Sequence, residues 1–198
     1  EGVLALNPTI VIGLRSQLTP QLGAQLNAAG VRSVLLTQEF SARGVREMTR
    51  AVAAVVNAMD RSTAVMEAFD RKMDSLRITP IKKKVLFIYA RGAGTMLVSG
   101  TGTAVSAMIG LAGADNAVTA FSDYKPLSAE SLVAADPDVI LMFTDGLRSM
   151  GGIPGLLKVP GVAETRAGRD RKVVTMDGEL LSGFTLRLPE AIRELHDK

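Results

Sequence analysis

The sequence predicts an α/β protein of two similar lobes with parallel sheets, joined by a long helical connector. Three observations carry that prediction. Short apolar runs of strand length alternate with helical stretches at both ends of the chain. Between them, residues 41–78 keep apolar side chains at heptad spacing. A twelve-residue pattern at the start of the chain also recurs at a constant offset of 129 (130 − 1).

The elements follow in order. Thr9-Ile10-Val11-Ile12-Gly13 reads as a short strand, residues 17–29 as a helix closed by Gly30, and residues 32–36 as the next strand. A strand, a crossover helix and a second strand imply a parallel pair. Residues 1–40 are therefore expected to form the remainder of an N-terminal lobe. Residues 41–80 form the helical region. Ser41 is its N-cap. Val45, Val52, Met59, Met66 and Met73 fall in one heptad row; Met48, Val55, Phe69 and Leu76 fall in another, with Ser62 in the gap. The Met row reads as core packing, for which the flexible thioether side chain is suited. A break over residues 57–62 with Asp60 as a new cap is expected, and Thr79-Pro80 as the stop, because proline cannot continue a helix.

Residues 81–198 form the second lobe. Strands are expected over 85–89, 138–142 and 172–176, and helices over 103–112, 128–135, 153–157, 162–166 and 189–196. A glycine-rich loop is expected from Gly92 to Gly102.

The internal repeat pairs Glu1-Gly2-Val3-Leu4-Ala5-Leu6-Asn7-Pro8 with Glu130-Ser131-Leu132-Val133-Ala134-Ala135-Asp136-Pro137, each running on into an apolar strand. Glu, Ala and Pro coincide, and Asn faces Asp. Each copy reads as a short helix, a turn at Asn/Asp-Pro and a buried strand. A strand, loop and helix over 82–129 precede the second copy, and nothing matches them before the first. About 48 residues of the first lobe are thus expected to be missing, leaving that lobe with an incomplete sheet.

Composition narrows the function classes. Apolar residues make up 47% of the 198 and charged residues 22%, as in ordinary globular proteins. Aromatics are only 4%, with no Trp, which argues against a base-stacking surface and so against a nucleic-acid partner. The net charge of +3 is scattered; its longest run, Lys82-Lys83-Lys84, reads as a solvated approach to a strand. The absence of cysteine rules out disulfides, thiolate metal sites and a cysteine nucleophile. No apolar run reaches membrane-span length, so a membrane-embedded chain is not expected.

Two motifs point further. Tyr124-Lys125-Pro126-Leu127-Ser128-Ala129-Glu130-Ser131-Leu132 runs on to Ala135-Asp136-Pro137-Asp138-Val139-Ile140-Leu141. Val98-Ser99-Gly100 leads to Leu111-Ala112-Gly113-Ala114-Asp115-Asn116-Ala117. Together they resemble the periplasmic haem-binding proteins of bacterial haem ABC importers, a resemblance that extends over essentially the whole chain. It implies two lobes on a rigid interlobe helix, with haem as the transported ligand in the cleft and ABC permease subunits as partners. The implied location is the periplasm, or a lipid anchor outside the cytoplasmic membrane.

The resemblance also suggests site residues. The family's axial tyrosine would lie before residue 1, and the loop Arg91-Gly92-Ala93-Gly94-Thr95-Met96 lacks the histidine that some members place there. Met96 offers a weak thioether ligand, against the plainer role of an apolar contact under the ring. Arg91, Tyr124, Lys125 and Arg187 are expected at the cleft, the cations to meet propionates, and Phe184 to stack on the ring. An ordinary surface charge is the equal alternative for each arginine. Glu1 and Glu130, at matched repeat positions, are expected to dock the two permease subunits. A helix-start carboxylate favoured by the helix dipole is the simpler role. His196, the single histidine, sits in a last helical turn and is expected to be structural.

Two other readings compete. The same fold can carry cobalamin or a ferric siderophore. A nucleotide-dependent enzyme is suggested by Gly92-Ala93-Gly94 and Gly100-Thr101-Gly102, but Leu97 and Val105 stand where the third fingerprint glycine belongs. One histidine and no cysteine leave most nucleophilic and metal chemistry without its parts. No catalytic residue is expected.

Overall fold

The structure is a computed structural model that describes residues 2–92 and 94–198. Glu1 and Ala93 lie outside the described residues. The chain forms two compact units, residues 1–71 and 72–198.

In the first unit, β1 (Ile10–Leu14) and β2 (Arg32–Leu36) pair in parallel, from Ile10 opposite Arg32 to Leu14 opposite Leu36. The crossover is α1 (Pro20–Ala28), whose N-cap Thr19 accepts the Leu22 amide at 3.2 Å with proline in the first turn. The helix starts three residues later than the spacing predicts, because Pro20 sets its first turn. Next come α2 (Ala42–Val55) and α3 (Met59–Asp74). Ser41 caps α2 as expected, its Oγ accepting the Gly44 amide at 3.0 Å. A Cβ on Gly44 would stand 2.1 Å from the Glu39 carbonyl, so only glycine lets the chain pass this closely into the helix.

The break between these helices falls at Asn57, which adopts the left-handed conformation (φ 53°) that asparagine tolerates better than most residues. Asp60 lies inside the first turn of α3 and is not its cap. The helix ends at Asp74, well before Pro80. Val45, Ser62, Met66 and Phe69 are buried, whereas Met59 is 47% exposed, so the Met row is only partly core. Arg46 donates to Asp70 at 2.6 Å and lies over the Phe69 ring, tying α2 to α3.

The second unit is built on a mixed sheet. Its elements are β3 (Lys84–Arg91), β4 (Thr95–Ser99), α4 (Ala104–Leu111), β5 (Asp115–Asn116), β6 (Tyr124–Pro126), α5 (Ala129–Ala135) and β7 (Val139–Phe143). There follow α6 (Thr144–Ser149), α7 (Gly152–Leu156), α8 (Arg166–Arg169), β8 (Val173–Met176), α9 (Gly178–Ser182) and α10 (Leu188–Asp197). The strand order is β6-β4-β3-β7-β8, with β5 beside the start of β3. Strands β3, β7 and β8 are parallel; β4 and β6 run antiparallel to their neighbours.

Two expectations fail here. The predicted loop at 92–102 contains β4, a hairpin partner of β3. Met96-Leu97-Val98 is a strand-forming apolar run between glycines, and Val98 is 2% exposed. Gly92 supplies the left-handed turn (φ 63°) that reverses the chain. The helix expected over 162–166 forms instead as α8, after the Thr165 cap, with the preceding residues in turns.

Alternation along β3 divides the sheet into two faces. Leu86, Ile88 and Ala90 pack with Ile140, Met142, Leu156 and Val162 into one core layer. Val85, Phe87, Tyr89 and Arg91 point to the other side, beneath α4, α9 and α10, which pack on one another.

The repeat survives in three dimensions. Asn7 (φ 46°) and Asp136 (φ 35°) both end their short helices in the left-handed conformation. The strands that follow, β1 and β7, begin 129 positions apart (139 − 10) and each pairs in parallel with a later strand. They lie in different sheets.

Candidate ligand pocket

Open parallel sheets offer ligands the crevice beyond the carboxyl ends of their strands. The second unit has such a pocket, of about 710 Å³, within the range of small-molecule sites. Tyr89 and Arg91 reach it from the end of β3, Phe143 from β7, Asp145 and Arg148 from α6, and Asp177 from the turn after β8. A shallower hollow lined by Glu179, Ser182 and Thr185 shares Phe143 and Gly178 with it.

The walls are held by their own bonds. The Gly92 amide donates to Ser149 Oγ at 2.9 Å, and Ser149 donates to the Gly146 carbonyl at 2.8 Å, so the β3–β4 turn is fastened to α6. A Cβ on Gly146 would be 3.2 Å from the Ala90 carbonyl, which is why α6 sits so close over β3. The Phe143 ring meets Phe87 edge-on at 4.9 Å and Tyr89 at 6.1 Å, an aromatic floor that orients the Tyr89 ring.

The charges on this pocket are unequally satisfied. Arg148 pairs with Asp145 at 2.8 Å. Asp177 accepts the Leu180 amide at 2.9 Å and so caps α9. Among the described residues, neither the Tyr89 hydroxyl nor the Arg91 guanidinium has a hydrogen-bonding or ionic partner. Being i and i+2 on one strand, they project on the same side of the sheet. A phenol oxygen and a bidentate cation thus lie on one side of the sheet, without a partner among the described residues.

The other residues singled out from the sequence are not gathered here. Met96, opposite Ala90 on β4, packs half-buried against the core. Tyr124 and Lys125 lie on β6, two strands outward from β3. Lys125 is set over the Phe121 ring at 4.7 Å. Tyr124 is 40% exposed; its hydroxyl is pushed above the usual tyrosine range by partial burial, against the opposing effect of Thr103 and Ser99. Phe184 is 7% exposed, held in the left-handed conformation (φ 45°), and belongs to the core rather than to an exposed stacking surface. Arg187 begins α10 and pairs with Glu190 at 3.7 Å, two residues beyond Thr185 at the edge of the shallow hollow.

Glu130 is exposed in the first turn of α5, and Glu1 lies outside the described residues. Of the sequence-derived set, among the described residues, only Arg91 lines the pocket. Sequence alone marks Tyr89 only as the end of a strand; the signal for it is its place two positions before Arg91 at that strand's carboxyl end. Among the described residues, no three acidic or histidine side chains cluster to hold a metal. No described helix is long and apolar enough to cross a membrane.

The family model described as periplasmic binding protein matches residues 1–180. The structure of the periplasmic heme-binding protein BhuT in complex with two hemes superposes with a TM-score of 0.93 at 37% identity, over 99% of this chain and 76% of that one. The periplasmic heme-binding protein RhuT from Roseiflexus sp. RS-1, in apo form, gives 0.90 at 35% identity over 100% and 77%. A curated relative, the uncharacterized ABC transporter substrate-binding lipoprotein YvrC of Bacillus subtilis, is 22% identical over 98% of this chain. The chain spans 63% of the length of that relative.

Proposed function

We propose a function for this chain from one premise: it belongs to the periplasmic binding protein family. That family supplies ABC importers with solute and is not a family of enzymes, so the nucleotide-dependent enzyme reading is set aside. The cargo is haem, delivered on the outer side of the cytoplasmic membrane to a permease.

The observation that carries the cargo assignment is the partnerless Tyr89–Arg91 pair over an aromatic floor in a pocket of 710 Å³. A phenolate oxygen is an established haem-iron ligand. Arg91 supplies the planar fork that suits a carboxylate, so it meets a propionate or steadies the phenolate charge. Phe143 and the apolar strand ends give the porphyrin face a surface that excludes water. Two solved haem-binding relatives above 30% identity support the same cargo. Glu130 docks one permease subunit from the exposed start of α5, steering approach more than adding affinity.

The test is a titration of the chain with hemin, cobalamin and a ferric siderophore, followed by absorbance. Saturable growth of a shifted Soret band with hemin, and no retention of the other two through gel filtration, is the expected result. Retention of cobalamin or the siderophore in place of hemin refutes the cargo assignment.

A further inference from the structure

The sheet face that bears Tyr89 holds a second cavity at its opposite, amino end. Its volume is about 300 Å³, the lower bound for a small-molecule site. Between the two cavities along the face lie the buried side chains of Phe87, 0% exposed, and Met176, 1%. The walls of the second are apolar, from Val85, Val139 and Leu141 on the strands, Ile109 on α4 and Leu195 on α10. Its polar lining is three lysines, Lys83, Lys172 and Lys198, and the His196 imidazole.

These four groups differ in what they already hold. Lys198 donates to the Thr175 carbonyl and to Glu194, each at 2.7 Å. The His196 ring bonds the Ala112 carbonyl through Nδ1 at 2.9 Å. A carbonyl can only accept, so Nδ1 carries the proton and the ring is fixed against α4. Among the described residues, Lys83 and Lys172 have no ion pair within 4 Å. Lys83 acts on Asp138 only as the weakest of that carboxylate's partners, behind the Lys84 amide and Arg166.

We infer that this cavity binds a small carboxylate with an unbranched aliphatic tail, a medium-chain fatty acid in chemical class. The tail lies against Val85, Ile109 and Leu141, and the carboxylate meets Lys83 and Lys172. Apolar walls give an inorganic anion nothing to bury, and the lysines repel an alkyl ammonium ion of the same length. The site is separate from the Tyr89 pocket and does not depend on the haem reading.

The chain has one histidine, so its imidazole proton resonance reports on this cavity alone. The full chain is titrated with octanoate, with octylammonium and inorganic phosphate as controls, and the His196 signal is followed by NMR. A saturable shift with octanoate only is expected. In K83A/K172A the octanoate affinity should fall about tenfold, the loss of two solvent-exposed ion pairs. Both lysines are exposed, and an unchanged melting curve shows that the variant is folded. The inference is overturned by a linear or absent shift with octanoate, by an equal response to octylammonium or phosphate, or by unaltered affinity in the folded lysine variant.

Discussion

Replacing Asp138 with asparagine should destabilise the protein by about 2–3 kcal/mol at neutral pH. Asp138 sits just before β7, with a side chain 12% exposed. One carboxylate oxygen accepts the Lys84 amide at 2.9 Å and so fixes the start of β3; the other accepts Arg166 Nη1 at 2.5 Å and so fixes α8. Asparagine keeps the shape but has one acceptor and one donor group. Either the Lys84 amide or the Arg166 guanidinium then faces an NH₂ group. A hydrogen bond to a charged group is worth about 1.5–3 kcal/mol, and the donor left without a partner adds a desolvation cost. For a chain of this size that corresponds to a fall in Tm of about 4–12 °C, measured by calorimetry.

The pH dependence has a definite sign. The Lys84 amide, and after it Arg166, hold the Asp138 carboxyl below the ordinary aspartate range. Its contribution is present above the unfolded-state value of about 3.9 and is lost as pH falls through the lower folded-state value. The difference between wild type and D138N should therefore be constant from pH 5 to 7 and shrink below about pH 4. Equal melting temperatures at pH 7, or a difference that widens in acid, would refute the reasoning.

Phe184→Ala should cost about 3–5 kcal/mol in urea unfolding, as for a buried aromatic residue, and leave the hemin affinity of the protein still folded without denaturant unchanged; a selective loss of hemin affinity would return Phe184 to the ligand. Glu130→Ala should leave hemin affinity unaltered and slow association with the cognate permease in proteoliposomes, most visibly at low salt; an unchanged association rate removes its docking role.

The parts of the fold that sequence could yield are those written in local chemistry. Capping by Ser41, the helix starts at Thr103 and Ser128 and the strand at Arg32–Leu36 rest on residues within a few positions of one another, and the repeat at offset 129 matches two such local patterns. The β4 hairpin is hidden because four glycines, Gly92, Gly94, Gly100 and Gly102, read as a loop, while its stability comes from partners on β3 and β6. The pocket was hidden for a similar reason. Lys125 and Phe184 have suitable chemistry for haem, yet neither lines this pocket: Lys125 lies over the Phe121 ring and Phe184 is buried. Arg91 and Tyr89 gain their place only when β3, β7 and α6 come together, a long-range fact that no single motif records.

The hemin complex of the Tyr89→Phe variant tests the central assignment most directly. Phenylalanine keeps the ring on Phe143 and removes only the oxygen. The account predicts loss of the phenolate-to-iron charge-transfer band and a fall in hemin affinity of at least about tenfold, one good coordinate or charge-assisted contact. A variant that binds hemin with the wild-type spectrum and affinity would show that Tyr89 does not hold the iron.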